Sequence, residues 1–397
     1  MGIKKVLVSG NMFLKIRMRI DRAIAFFGRK IFYSFGKIDN NKIFIMTYDN
    51  NYICNPSYIA DELVKRKLPI DIVWVGHGKA TMDIIDGGRM SPDIRVVRRG
   101  SLEMFEEQAS AKVWIDNALN CVWYGIPKKK NQVYINTWHG SMGIKKLSGN
   151  KFWLSRAKKC KKYTDYCVSN SKFEENVYHD TFWKNVPLLK YGHPRNDMLF
   201  DKNVIHALKA EVRNFFEISG DKKILLYAPT FRDNRIKNFD IDYTRLKEAL
   251  EKKFGGDWVI LVRLHHKNKA ISRKIEYNEW LINASLYPDM QPLMTVADMG
   301  ITDYSSWAYD FILTGNPLVL YVPDVEEYDQ DRGFYFTIES TPFILAHDND
   351  ELEKGIEAFD NEVYQKKIRE FLEDKGCYED GNATKRVVDK IVEIMGL

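Results

Sequence analysis

From residue 42 into the 340s, short β-branched apolar runs alternate with longer polar stretches of helical periodicity. The runs expected as strands are 42–46, 72–75, 94–97, 113–115, 133–136 and 166–168. A second series covers 224–227, 259–263, 299–302, 318–321 and 343–345. Ile-Leu-Leu-Tyr-Ala at 224–228 and Leu-Val-Leu-Tyr-Val at 318–322 are apolar throughout, as parallel strands covered on both faces must be. Strand–helix alternation repeated this often predicts an α/β chain with parallel sheets. The polar helical stretch 201–221 divides the series in two, and 397 residues suit two or three domains of ~100–200 residues. Open sheets of this kind bind ligands at the carboxyl ends of their strands, so the loops after strands should carry the chemistry.

Composition excludes a disordered or collagenous chain, with 45% hydrophobic and 29% charged residues. Cys54, Cys121, Cys160, Cys167 and Cys377 are odd in number and contain no Cys-x-x-Cys pair. Neither a disulfide scaffold nor a structural zinc site is expected, and a reducing cytosol is the natural setting. The net charge of +6 hides its own distribution. Residues 1–40 hold nine Lys/Arg against Asp21 and Asp39, and residues 128–162 hold eleven and no acid, leaving a net −12 elsewhere. Two basic blocks on an acidic background call for an anionic partner.

The first block lies on a helical pattern over 12–36. Phe13, Ile16, Ile20, Ile24, Phe27 and Ile31 form one stripe, with Lys15, Arg19, Arg22, Arg29 and Lys30 mostly off it. A basic amphipathic helix of this kind can lie in a lipid interface; it can equally pack on its own domain with a solvated basic face. No run of eighteen apolar residues predicts a transmembrane helix, and no secretory signal is expected. Nucleic acid is not expected as a partner, because no helix-turn-helix, zinc-finger or ribonucleoprotein signature accompanies the charge.

Several loops after strands carry reactive or anion-binding side chains. Thr137-Trp138-His139-Gly140 places a histidine after the strand at 133–136, as a base for a hydroxyl nucleophile or as a buried capping residue. Arg263-Leu264-His265-His266 puts Arg263 and His265 on one side of their strand, suited to a phosphoryl group. No metal is expected there, since no carboxylate or Cys lies near to complete a ligand set. Thr302-Asp303-Tyr304-Ser305-Ser306 opens an expected helix over 306–313, a phosphate site or plain capping. Three more loops share the geometry: 191–197 with Arg195, 228–232 with Thr230 and Arg232, and 323–333 with Asp324, Glu327 and Arg332. No Walker loop, Gly-x-Gly-x-x-Gly or Gly-x-Ser-x-Gly motif is present.

Taken in order and spacing, TWHG at 137–140, the RxH of Arg263 and His265, ITDYSS at 301–306 with Asp310 following, and PDVEEYDQDRGFYF at 323–336 resemble the CDP-glycerol glycerophosphotransferase family. These are the teichoic acid primases and polymerases of bacterial cell envelopes. The resemblance runs over roughly residues 40–390. It implies an α/β glycosyltransferase-B-type fold, with two Rossmann-like domains facing across a cleft. It also implies peripheral attachment at the cytoplasmic side of the bacterial cell membrane. The expected divisions are a basic segment at 1–40, an acceptor-side domain at 41–205, a CDP-donor domain at 206–380 and a C-terminal helix at 381–397.

The implied reaction moves glycerol phosphate, or a related polyol phosphate, from CDP-glycerol or CDP-ribitol to a hydroxyl. That hydroxyl belongs to a polyprenyl-diphosphate-linked glycan or to a growing teichoic acid or capsule-type polymer, and CMP is released. No cofactor is implied. His139 and His265 match the two catalytic histidines, in either order of roles. Thr302, Ser305 and Ser306 match the pyrophosphate-binding segment. Arg195, Thr230, Asp324, Glu327 and Arg332 match further donor or acceptor contacts. The chain departs from the family at His266, where proline is usual, and at Ser141–Lys145, where a Thr-Pro-Leu-Lys run is common. Family polymerases often add an N-terminal module, so a single catalytic unit of this length is expected nearer to a primase or capsule-type transferase. The alternative is a nucleotide-sugar-dependent glycosyltransferase of the same architecture.

Overall fold

The computed structural model describes residues 26–48, 51–76, 88–141, 143–147, 151–230, 240–264 and 272–397. Two parallel sheets account for the alternation. The first contains β1 (Asp39–Met46), β2 (Asp71–Gly76), β3 (Ile94–Arg98), β4 (Ala111–Asp116), β5 (Val133–Asn136), β6 (Tyr166–Ser169) and β7 (Leu188–Lys190), in the order β3-β2-β1-β4-β5-β6-β7. The second contains β8 (Lys223–Tyr227), β9 (Trp258–Val262), β10 (Leu281–Asn283), β11 (Met299–Thr302), β12 (Leu318–Tyr321) and β13 (Ile344–Ala346), in the order β10-β9-β8-β11-β12-β13. The chain is thus an α/β protein with parallel sheets, as its apolar runs predict.

Alternation along each strand feeds two cores. In β1, Phe44 and Met46 join Trp114 and Tyr134 on one face, while Ile43 and Ile45 join Trp74 and Ile115 on the other. In β8, Leu226 and Leu225 divide in the same way between the two faces of the second sheet. Helices begin on side-chain caps such as Ser171, Asp201, Asp242 and Asp360, each accepting from an amide of the first turn. The last helix, Ala383–Met395, returns to the first sheet, where Val387, Val388 and Ile391 are buried against its core. Each such side chain contributes ~1.5–3 kcal/mol.

The strand order reverses between β1 and β4 in the first sheet and between β8 and β11 in the second. Ligand crevices form at such switch points. Isolated antiparallel bridges join the halves, Lys145 with Phe334 and Ser171 with Cys377.

Of the N-terminal basic pattern, 12–25 lies outside the described residues and 26–35 is helical. Arg29 donates to the carbonyl of Tyr124 at 2.5 Å, and a Cβ on Gly28 would meet Leu102, so this side of the helix faces the protein. Phe27, Ile31 and Phe35 recur every four residues on another side and are 62%, 53% and 81% exposed.

Candidate active site

Three adjacent strands of the first sheet deliver one wall of a cleft. The loops after β1, β4 and β5 bring Tyr48, Asn117 and His139 together. Thr137 N–H donates to the carbonyl of Asp116 at 2.8 Å, and Trp138 N–H to Asn136 Oδ1 at 2.9 Å. Asn55 Nδ2 holds the carbonyls of Thr137 and Trp138 at 2.8 and 3.2 Å. Trp138 takes a left-handed φ of 52°, an uncommon conformation for a bulky residue that the surrounding bonds hold in place.

His139 Nδ1 lies 2.7 Å from the Asn117 carbonyl, which only accepts. Nδ1 therefore carries the proton, and in the neutral ring Nε2 holds the lone pair. Burial pushes the imidazole down to about 4, against the Asn117 carbonyl, and the positive charges of Arg195, His193 and Arg156 push the same way as burial. The ring is neutral at neutral pH, the state that accepts a proton.

The opposite wall comes from β8, β9 and β11. Thr302 Oγ1 and Trp307 Nε1 both donate to the Ala228 carbonyl at 2.7 Å, tying the Ser305-Ser306 turn to the end of β8. Thr230 donates through N–H and Oγ1 to Asp303 Oδ1 at 2.9 and 2.6 Å. Arg263 lies one residue past β9 and donates to the Tyr287 carbonyl at 3.0 Å. Burial lowers its basicity, while Asp289 acts in the opposite direction. The helix expected at 306–313 proves to be one α-turn, Ala308–Phe311, continued as 3₁₀ over Ile312–Thr314. Ser305 and Ser306 stand in the turn before it. So short an element brings little macrodipole, and anion binding there rests on hydroxyls and amides.

The walls meet at Gly140, where a Cβ would come 3.1 Å from Ser306 Oγ and 3.2 Å from Arg195 Nη2. Arg195 binds both. It donates to the His139 carbonyl at 3.0 Å and pairs with the fully buried Asp310, which also accepts from Ser141 at 2.5 Å and Asn196 at 3.1 Å. The amide of Gln291, turned so that both its atoms are satisfied, accepts from Arg195 Nε at 3.1 Å. The space between the walls comprises about 1350 Å³ lined by Arg195, Arg263, Ser305 and Ser306, and about 590 Å³ lined by His139, Asn117 and Asp289. Tyr48, Arg195, Arg263, Met290 and Gln291 line both parts.

His139, Arg195, Arg263, Ser305 and Ser306 thus gather in one cleft. Thr302 and Thr230 brace its floor through the bonds given above. Asp324 is turned to the Tyr304 hydroxyl at 3.1 Å and Glu327 is exposed; neither is among the residues lining these spaces. His265, Arg232 and the side chain of Arg332 lie outside the described residues. Tyr48, Asn117, Asp289 and Gln291 are additions that motif reading missed. The first two follow β1 and β4, the strands that flank the switch point of the first sheet, and that position is the only signal they carry.

Residues 29–393 match the family described as CDP-glycerol:poly(glycerophosphate) glycerophosphotransferase. The chain belongs to this family. The transferase is similar to the teichoic acid poly(glycerol phosphate) polymerase of Bacillus spizizenii, 30% identical over 86% of this chain and 89% of that one. It is also similar to the polymerase of the same description from Staphylococcus epidermidis, 28% identical over 86% of this chain but only 49% of that longer protein. Among solved structures, one of the wall teichoic acid polymerase TagF, carrying a His-to-Asn change and soaked with CDPG, is similar with a TM-score of 0.78. The identity is 25%, over 97% of this chain and 98% of that one. Membership makes the transferase a CDP-glycerol-type phosphotransferase, and its sheets adopt the fold of those structures.

Proposed function

We propose that this enzyme transfers glycerol phosphate, or a related polyol phosphate, from a CDP-activated donor to a hydroxyl of a lipid-linked glycan or growing polymer, releasing CMP. The observation that carries the reading is the meeting of the two walls at Gly140. It sets a neutral histidine on one side of the cleft, two serine hydroxyls with Arg263 on the other, and Arg195 at the joint between them. In this reading residues 41–205 and 206–380 are two Rossmann-like domains of glycosyltransferase-B type, and 381–397 is a helix that crosses back.

The acceptor hydroxyl attacks the β-phosphorus of the donor, forming a new P–O bond as the bond to the CMP oxygen breaks. Its proton passes to His139 Nε2. General-base help of this kind is worth ~10²–10⁴-fold. Arg263 and the Ser305 and Ser306 hydroxyls hold the phosphoryl charge; His265 is assigned to the same task. Preorganised donors of this kind stabilise charge developing in the transition state.

The exposed Phe27, Ile31 and Phe35 stripe, with Lys30 exposed beside it, supports peripheral attachment to an anionic membrane surface, where a lipid-linked acceptor would be met. Among the described residues no helix is long and apolar enough to cross a membrane. The Bacillus spizizenii relative is called a polymerase and is covered to 89% of its length, so length alone does not set polymerase apart from primase.

His139→Gln is expected to lower CMP release from CDP-glycerol by about 10²–10⁴-fold, with donor affinity by calorimetry held within about threefold. Turnover near the parent's would remove His139 from the mechanism. UDP release from a UDP-sugar in the same assay would favour the glycosyltransferase alternative.

A further inference from the structure

Asn117 is 1% exposed and makes two bonds with opposite ends of itself. Its carbonyl receives His139 Nδ1 at 2.7 Å, and its side-chain Oδ1 receives the backbone N–H of Tyr48 at 2.7 Å. The Tyr48 ring lies nearly parallel to the His139 imidazole, 15° between planes with centroids 5.5 Å apart, and is itself 51% exposed to the cleft. The loop that carries Asn117 is built not to move. Asp116, fully buried, takes the N–H of Ala118 and of Cys121 at 2.7 Å each and the Tyr134 hydroxyl at 2.9 Å. Leu119 is held at a left-handed φ of 70°.

We propose that Asn117 is a positioning residue for His139, fixing the tautomer through its carbonyl and, through its side chain, the Tyr48 ring that covers one face of the imidazole. The assignment rests on the reading of His139 as the base. A histidine that must accept a proton at Nε2 needs Nδ1–H bound to an acceptor and its ring held in one plane. The carbonyl meets the first need. The second is met by two rings, Tyr48 nearly parallel to the imidazole and Trp138 tilted 33° to it with centroids 4.3 Å apart. The charged groups that act on the imidazole are Arg195, His193 and Arg156; none belongs to the loop being changed, so their influence is common to parent and variant.

Asn117→Leu keeps the volume and removes the Oδ1 acceptor. It is expected to lower kcat for CMP release from CDP-glycerol about 10–100-fold, with donor KM within about threefold. The acid limb of kcat/KM, set by His139 at about 4 in the parent, should move up toward the ordinary histidine range as the ring leaves its covered place. In a His139→Gln background the same change should cost nothing further, because both act through one group. Tyr48→Ala should reproduce the kinetic effect, and Tyr48→Phe, which keeps the ring, should restore most of it.

A kcat within twofold of the parent and an unmoved acid limb in Asn117→Leu would overturn the proposal. So would full additivity with His139→Gln, or a loss of thermal stability alone. If Asn117→Leu does not fold, Tyr48→Ala carries the same test at a half-exposed position. A nearly active His139→Gln would overturn the base reading and this proposal with it. An inactive His139→Gln beside a fully active Asn117→Leu would overturn only the proposal.

Discussion

The wall that carries His139 and the wall that carries Ser305 and Ser306 touch at Gly140, yet they are held in different ways. Around His139 the backbone itself is constrained: Cys54, Leu119 and Trp138 sit at left-handed φ values of 66°, 70° and 52°, and buried Asn55, Asp116 and Asn136 bind the loops together. Across the cleft, Ser305 and Ser306 are partly exposed and precede only one turn of α-helix, anchored by Thr302 and Trp307 on the Ala228 carbonyl. A base must meet a proton in one direction. A phosphoryl group changes shape as it is transferred, and hydroxyls that rotate can follow it. In the proposed mechanism, rigidity is placed where direction matters, and adaptable donors where charge does.

The sharpest way to break this contrast is at the joint. Asp310→Asn leaves the Arg195 guanidinium buried without its counter-charge, so the stability loss should be about 3–5 kcal/mol by denaturant unfolding. A loss under about 1 kcal/mol would mean the walls are not fastened there. Ser306→Ala tests the adaptable side. Removing a hydroxyl that binds a charged group costs ~1.5–3 kcal/mol, so donor KM should rise about tenfold or more while the acid limb of the pH profile stays in place. If the acid limb moved, Ser306 would act through the base wall and the division of labour would fail.

The smallest expected effect lies behind the joint. Burial pushes the Glu379 carboxyl up to about 7, and Asp310 adds to this, against His193 and Asn196. Between its unfolded value near 4.5 and about 7 the folded protein binds the extra proton, so stability contributed by this group falls as pH rises through that window and levels off above it. Glu379→Gln should flatten the slope of Tm against pH between 5 and 7. An unchanged slope would place the titration elsewhere.

Much of this is legible in the sequence, for physical reasons that also set where it stops. β5, β11 and β12 fall on their expected residues because each is a short, continuous apolar run with polar punctuation. β7 and β10 do not stand out in the sequence, because three residues hold too little pattern. The helix expected from Ser306 is shorter in the structure: Trp307 turns its indole to the Ala228 carbonyl and Gly315 closes the segment at a φ of 72°, neither of which helical periodicity reveals. His139 stands out because its place after a strand, in the TWHG run, suits a base at the mouth of a cleft. Asn117 does not, since its carbonyl does the binding and any residue has one. Asp310 could be named from its place after ITDYSS, but nothing in the sequence tells that it closes on Arg195, 115 residues earlier.

The helix Ala383–Met395 has a consequence for how the molecule comes into being. Val387, Val388 and Ile391 complete a core begun by Ile43 and Ile45 and partly covered by Ile59, Ala60 and Leu63, so part of one face of the first sheet stays open until residues 383–395 have been made. Contacts this distant in sequence are formed late and slowly, and apolar surface is open to other chains in the meantime. The sheet that carries His139 is therefore completed only after the strands of the second sheet have been synthesised, and a translation product interrupted before residue 383 would carry His139 beside an incomplete core.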